Sequence, residues 1–293
     1  MGHSTHRECP FYSGYLSLSE QYWVNTAYLN KFFWTGSSPT LEAQTKRAIT
    51  GPLAQNMNPG LAEERLKQIP AYVKRFKDAF GTAPIFENVL AAFERTLVSR
   101  NVPFDQYMNG DKKALHPAQM KGMALFKGKA GCIQCHHGAM LTDQAFHNVG
   151  VPPNKAFETD PQRQIAMRER IKSKGIAEAD YLVLDRDPGR FLDTKHAGDK
   201  GKFRTPTLRE LKYTGPYMHN GAFDSLEAVI DFYDRGGDAD PFGTKSSLLK
   251  PLRLTADEKA ALRAFLESLS GDPILVVAPE LPEYDVLPFP ARP

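Results

Sequence analysis

A chain of 293 residues with 41% hydrophobic content is long enough for one large or two ordinary domains and carries the apolar share of a globular protein with a sizeable core. Its formal net charge of +3 is small and its charges are interspersed, as in Glu63-Glu64-Arg65, which argues against nucleic acid or another polyanion as partner. No apolar run reaches the length needed to cross a bilayer, so a transmembrane helix is not expected.

The first residues, Met1 to Cys9, include His3, His6, Arg7 and Glu8 and lack the apolar centre of a secretory signal. From Pro59 to Leu97 the apolar residues recur at helical spacing, Leu66, Ile69, Tyr72, Val73 and Phe76, then Phe86, Val89, Leu90, Phe93 and Leu97. This predicts two amphipathic helices. A further helix is expected over Pro117 to Phe126, ending at the loop Lys127-Gly128-Lys129-Ala130-Gly131. Residues 150–215 are rich in Pro, Gly, Asp and Lys and read as a long loop region with one helix, around Gln162 to Lys174.

Order returns at Asp224-Ser225-Leu226-Glu227, read as a capping box with Asp224 as N-cap. The helix that follows carries Leu226, Val229, Ile230 and Tyr233 on one face and stops at Gly236-Gly237. A second box, Thr255 to Glu258, opens a helix with Leu262, Phe265, Leu266 and Leu269 that ends near Gly271. No period-2 alternation supports a sheet. The expected fold is mainly α.

Two of the three cysteines, Cys132 and Cys135, are followed directly by His136. Two thiols at this spacing can each add to one vinyl group of a haem, and the next histidine can reach its iron. Cys132-Ile133-Gln134-Cys135-His136 is thus read as a c-type haem attachment site, with His136 as proximal ligand. A buried cysteine pair beside an unrelated histidine is the plain structural alternative. Zinc would need further ligands at fixed spacing, and only Cys9 and scattered histidines remain. A thioredoxin-like redox pair would sit near a βαβ pattern, which is absent. His137 is read as a solvated neighbour. Candidates for the sixth iron position are Met120, Met123, Met140, Met167, Met218, His147, His219 and Tyr233. A covalent haem implies a periplasmic setting.

Six segments carry a family resemblance: Asn25 to Trp34, Ala91 to Leu97, Phe126 to His136, Phe146 to Pro152, Phe203 to Arg209, and Pro216 to Gly221. Through these, residues from Asn25 to about Gly271 resemble the bacterial di-haem cytochrome c peroxidases and the related MauG group. The resemblance implies a cytochrome c-like haem domain with long loops. It implies that Tyr233, on the helix after Pro216-Tyr217-Met218-His219, is the distal ligand, as in the MauG group, where the peroxidases carry Met. It implies that Trp34 relays electrons between two haems. It also implies a calcium ion between them, for which Thr214 and Pro216 match two backbone-oxygen ligands, while the third match, near Ser19, is poor.

The chain also departs from that pattern. The second Cys-x-x-Cys-His of the family, upstream of the tryptophan, is absent, and Cys9 cannot replace it. Residues 1–58 are therefore read as the remnant of an incomplete N-terminal, peroxidatic-haem domain, 59–272 as the C-terminal haem domain, and 273–293 as a Pro-rich extended tail. A second haem is expected only with the missing N-terminal region. After Trp34 the family usually continues Asp-Gly-Arg, whereas here Thr35-Gly36-Ser37 follows, a lost polar anchor. The acidic residue that assists peroxide cleavage aligns with Asn58, an amide that cannot act as general acid or base.

The function implied by the resemblance is peroxide-dependent electron transfer by a c-type haem oxidoreductase. Peroxide would react at the partner haem, Trp34 would relay charge, and the His136/Tyr233 haem would store an oxidising equivalent. The partners expected are hydrogen peroxide and an electron-donor protein or an oxidisable protein or small molecule. The alternative is a mono-haem electron carrier without turnover, with Met218 or another methionine as strong axial ligand.

Overall fold

The computed structural model describes residues 24–277 and 279–285; Cys9 and Ser19 lie outside them. The fold is mainly α, as expected, with helices α1 (Leu41–Thr50), α2 (Pro59–Lys67), α3 (Pro70–Phe80), α4 (Phe86–Glu94), α5 (Pro103–Met108) and α6 (Pro117–Lys127) in the first half. The rest carries α7 (Ala156–Thr159), α8 (Pro161–Ser173), α9 (Glu178–Tyr181), α10 (Phe191–Thr194), α11 (Leu226–Asp234) and α12 (Ala256–Glu267).

Three helices, not two, occupy Pro59 to Leu97. Pro70 forces the residue before it out of helical backbone, and Ile69 accordingly takes φ −114° and ψ 98° between α2 and α3. Gly81, at φ 69°, ends α3 in the left-handed region that glycine enters without strain. The N-cap of α11 is Ser225 rather than Asp224: Ser225 is extended, and its hydroxyl accepts the Ala228 amide. The capping box Thr255 to Glu258 forms as read, each side chain bonded to the other's backbone amide.

The main core lies where α6 crosses α12. Gly122 makes that crossing possible, since a Cβ at this position would stand 2.0 Å from the Ala261 carbonyl oxygen. Phe265 is 1% exposed, and the rings of Phe104 and Phe126 pack on it at 5.6 and 5.2 Å. Leu226 and Ile230 of α11 and Leu262, Leu266 and Leu269 complete this core. A second cluster, Met167, Ile171, Tyr181 and Leu192, ties α8, α9 and α10 into a unit of their own. The third, Phe32, Leu41 and Ala91, joins α1 and α4 to the segment that leads into Trp34.

A small sheet, which alternation did not predict, pairs β1 (Phe146–His147) antiparallel to β2 (Phe203–Arg204). Strands of two residues are too short for alternation to show. Their register sets Phe146 opposite Arg204 and His147 opposite Phe203. The Arg204 amide also donates to the Trp34 carbonyl oxygen at 2.7 Å, so the Trp34 segment attaches to the same strand.

Candidate haem centre

Helix α6 delivers the chain to the cysteine motif. Gly131, at φ 63°, turns it into a single 3-10 turn, Cys132–Gln134. The amides of Cys135 and His136 then fold back on the Cys132 carbonyl oxygen at 3.3 and 2.9 Å. This turn brings Cys132, Cys135 and His136 to the wall of one cavity of about 240 Å³. Burial pushes the Cys132 thiol up to about 12, so it is a neutral thiol at pH 7.

His136 is neutral as well. Burial pulls its pKa down, and its Nδ1 lies 3.0 Å from the Leu141 carbonyl oxygen. A neutral imidazole whose Nδ1–H is held by a carbonyl keeps a lone pair on Nε2, the arrangement used to orient a histidine toward a metal.

Helix α11 supplies Tyr233 to the same cavity. Its phenol is held above the ordinary tyrosine range, first by burial and then by the Cys132 and Cys135 thiols. The hydroxyl thus feels the cysteine motif across the cavity. Apolar walls come from Phe126, Leu208, Ile230 and Leu262, while Asn148, Arg204, Asp240 and Lys250 form polar parts of the lining. Two thiols, an imidazole, a phenol and an apolar enclosure with polar groups suit a haem, whose plane is apolar and whose propionates are charged.

The other candidates separate clearly. Met218, His147 and His219 line the cavity. Met167 is buried in the second cluster at 1% exposure, Met123 packs on the main core, and Met120 is exposed. Met140 and His137 lie outside the lining, and His137 is exposed. Thr214 is 1% exposed and its hydroxyl is buried without a hydrogen-bond partner, while Pro216 reaches the cavity wall. Asn58 is engaged elsewhere, its side chain accepting the Leu61 amide as N-cap of α2.

Trp34 also lines the cavity, beside a group of rings. Its indole meets His219 edge-on, with centroids 6.3 Å apart, and His219 stacks on Phe203 at 3.6 Å. Burial lowers the His219 pKa to about 4, so this imidazole is neutral at pH 7.

Sequence reasoning missed Asp143, which pairs with His147 at 3.0 Å next to the Cys135 sulfur. The ligand atoms of these three residues lie within 4.8 Å of one another. The only sequence signal was the closeness of Asp143 and His147 along the chain. Phe203 and Arg204 belong to a segment that carried the resemblance, but nothing in it showed that Phe203 stacks on His219 or that the Arg204 amide bonds the Trp34 carbonyl oxygen.

A mainly α fold that encloses two thiols and a neutral imidazole in one apolar cavity is that of a c-type haem oxidoreductase. A family model described as di-haem cytochrome c peroxidase matches residues 13–113. The cytochrome-c peroxidase IdrP1 of Pseudomonas sp. (strain SCT) is 49% identical over 278 residues, 92% of this chain and 73% of that protein. The methylamine utilization protein MauG of Methylorubrum extorquens is 36% identical over 88% of this chain and 66% of its own length. Among solved structures, a MauG-like protein associated with microbial copper homeostasis superposes with a TM-score of 0.65 at 30% identity, covering 83% of this chain and 72% of that one. The chain belongs to the di-haem cytochrome c peroxidase and MauG family.

Proposed function

We propose that this chain would hold a haem c through thioethers at Cys132 and Cys135, with His136 and Tyr233 as the residues that would bind its iron, and that it serves peroxide-dependent electron transfer with Trp34 as relay. The observation that carries the reading is Tyr233, a half-buried phenol that lines the same cavity as the cysteine motif and His136. When bound, haem supplies an iron centre able to give up and regain electrons.

The residues divide the remaining work. The two cysteines fix the cofactor against the end of α6, and the Leu141 carbonyl keeps His136 in the tautomer that presents Nε2. Tyr233 must lose its proton to act as a phenolate ligand, and an anionic oxygen ligand lowers the potential and favours higher oxidation states. Trp34 and the neutral His219 give the cavity wall a continuous aromatic contact. Thr214 and Pro216, through their backbone oxygens, are the proposed calcium contacts.

Peroxide and an electron donor are the partners that family membership implies. We further propose a periplasmic location and either an oxidisable protein or a small molecule as final substrate. Family membership does not favour a mono-haem carrier without turnover.

The test uses the chain produced in a host that attaches c-type haem. The haem-to-protein ratio, the near-infrared spectrum and peroxide consumption with a reduced donor are measured. Covalent haem with turnover above that of free haem supports the proposal. Turnover no greater than free haem ends the enzyme reading. A near-infrared thioether-to-iron band that disappears on Met218→Leu ends the assignment of Tyr233. A ratio near two adds a second, non-thioether haem.

A further inference from the structure

The turn after Trp34 is Thr35-Gly36-Ser37, which carries no charged side chain of its own. The turn is nonetheless tightly held, by residues more than 100 positions away. Thr35 is 3% exposed, and its carbonyl oxygen accepts a hydrogen bond from Arg190 Nη1 at 3.2 Å. The same guanidinium covers the ring of Phe146 at 3.7 Å. Phe146 in turn closes on Gly36, where a Cβ would stand 2.5 Å from the ring.

Arg190 is itself oriented by Asp199, whose carboxylate lies 3.7 Å from its Nε. A second contact comes from Asp193 of α10. Burial raises its pKa, but hydrogen bonds from Lys174 and the Thr35 side chain outweigh this and hold it below the usual carboxylate range. Both acidic residues and Arg190 belong to the stretch around α10, which packs with α8 and α9 in the second core cluster. From the other side, the Arg204 amide holds the Trp34 carbonyl oxygen. Two anchors thus grip successive carbonyl groups of the segment that carries the indole.

We infer that Arg190 is a positioning residue for Trp34, supplying from the α8–α10 unit a charged anchor that the turn itself lacks. A planar guanidinium suits this task because it can donate to a carbonyl in its plane while its face covers an aromatic ring. Loss of that grip releases Thr35 and lets the indole shift against His219 and the cavity wall. The consequence for turnover rests on Trp34 being the relay proposed above.

The experiment uses the haem-loaded chain with Trp23→Phe, which leaves Trp34 as the sole tryptophan. Its emission, quenched by haem, reports the indole's position, and acrylamide reports its accessibility. Arg190→Ala should raise the emission and the accessibility. It should also lower peroxide consumption by about tenfold, the order expected for a displacement of a fraction of an ångström. Arg190→Lys should restore part of both, since an ammonium can still donate to the Thr35 carbonyl but cannot cover the ring in the same way. Ile171→Ala loosens the core of the same unit without touching the turn, and should lower the unfolding midpoint while leaving the emission unchanged.

Unchanged emission in Arg190→Ala, or an equal change in Ile171→Ala, would overturn the inference. Trp34→Phe separates the two readings. If it retains full turnover while Arg190→Ala still shifts the Trp34 emission, the relay assignment fails and the positioning role stands.

Discussion

The Nδ1 atom of His136 lies 3.0 Å from the carbonyl oxygen of Leu141, nine residues after the first cysteine of the motif and five after the histidine itself. This contact decides which ring nitrogen is available. With the proton committed to Nδ1, Nε2 offers a lone pair to whatever occupies the cavity.

His136→Gly should therefore leave the thioether links in place and remove only the proximal ligand. The haem stays covalently attached, the Soret and visible bands shift, and added imidazole returns them toward those of the parent. Absorbance titration with imidazole checks this. A glycine variant with the parent spectrum would mean that another residue holds the iron.

Tyr233→Phe keeps the ring and its packing against Phe232 at 5.2 Å but removes the oxygen. The midpoint potential should rise, by on the order of 0.1 V within the roughly 0.8 V span that axial ligands command. Redox titration of the covalent haem measures it. A potential unchanged by the substitution would remove Tyr233 from the iron.

Two buried groups give stability opposite pH slopes. His219 has a folded pKa of about 4 because burial disfavours its cation, against about 6.5 in the unfolded chain. Between these values the unfolded state binds more protons, so stability rises with pH, and His219→Gln should recover about 2 kcal/mol of the loss at pH 5. Glu94 is 3% exposed, its Oε2 has no hydrogen-bond partner, and burial raises its pKa to about 8. Here the folded state keeps a proton that the unfolded state has released, so stability falls as pH climbs from about 4.5 to 8. Glu94→Gln should flatten that fall, with a gain on the order of 3 kcal/mol at pH 8. Urea midpoints at pH 5, 6.5 and 8 test both; parallel profiles for parent and variants would refute them.

Gly122→Ala should be costly far beyond a surface glycine. The added methyl meets the Ala261 carbonyl oxygen at 2.0 Å and the Phe265 Cβ at 2.7 Å, so α6 and α12 must separate. A loss of about 3 kcal/mol or more is expected, at or above the usual range for overpacked cores. Denaturant unfolding measures it, and a lower content of covalent haem in the purified variant should accompany it, because α6 leads directly into the cysteine motif.

Much of the centre was readable in the amino-acid order because its chemistry is local. Two thiols and an imidazole within five residues have few other uses, and Tyr233 falls on the apolar face of a helix whose caps are also written nearby. The main helices were legible for the same reason, as periodic apolar residues and capping side chains act within one or two turns. Ser225 replaced Asp224 as N-cap because adjacent residues offered equivalent oxygens and only the backbone path chose between them.

What the tertiary structure decided was which distant groups meet. Asp143 beside His147 and Cys135, the Trp34, His219 and Phe203 rings, and Arg190 over Phe146 are brought together by loops and two-residue strands that carry no periodic signal. The turn after Trp34 shows the difference most plainly. By residue type alone Thr35-Gly36-Ser37 had lost its polar anchor, yet Arg190 and Asp193 hold it from another part of the chain. Local chemistry is set by neighbours in sequence, whereas a hydrogen bond needs only neighbours in space, and the fold alone supplies those.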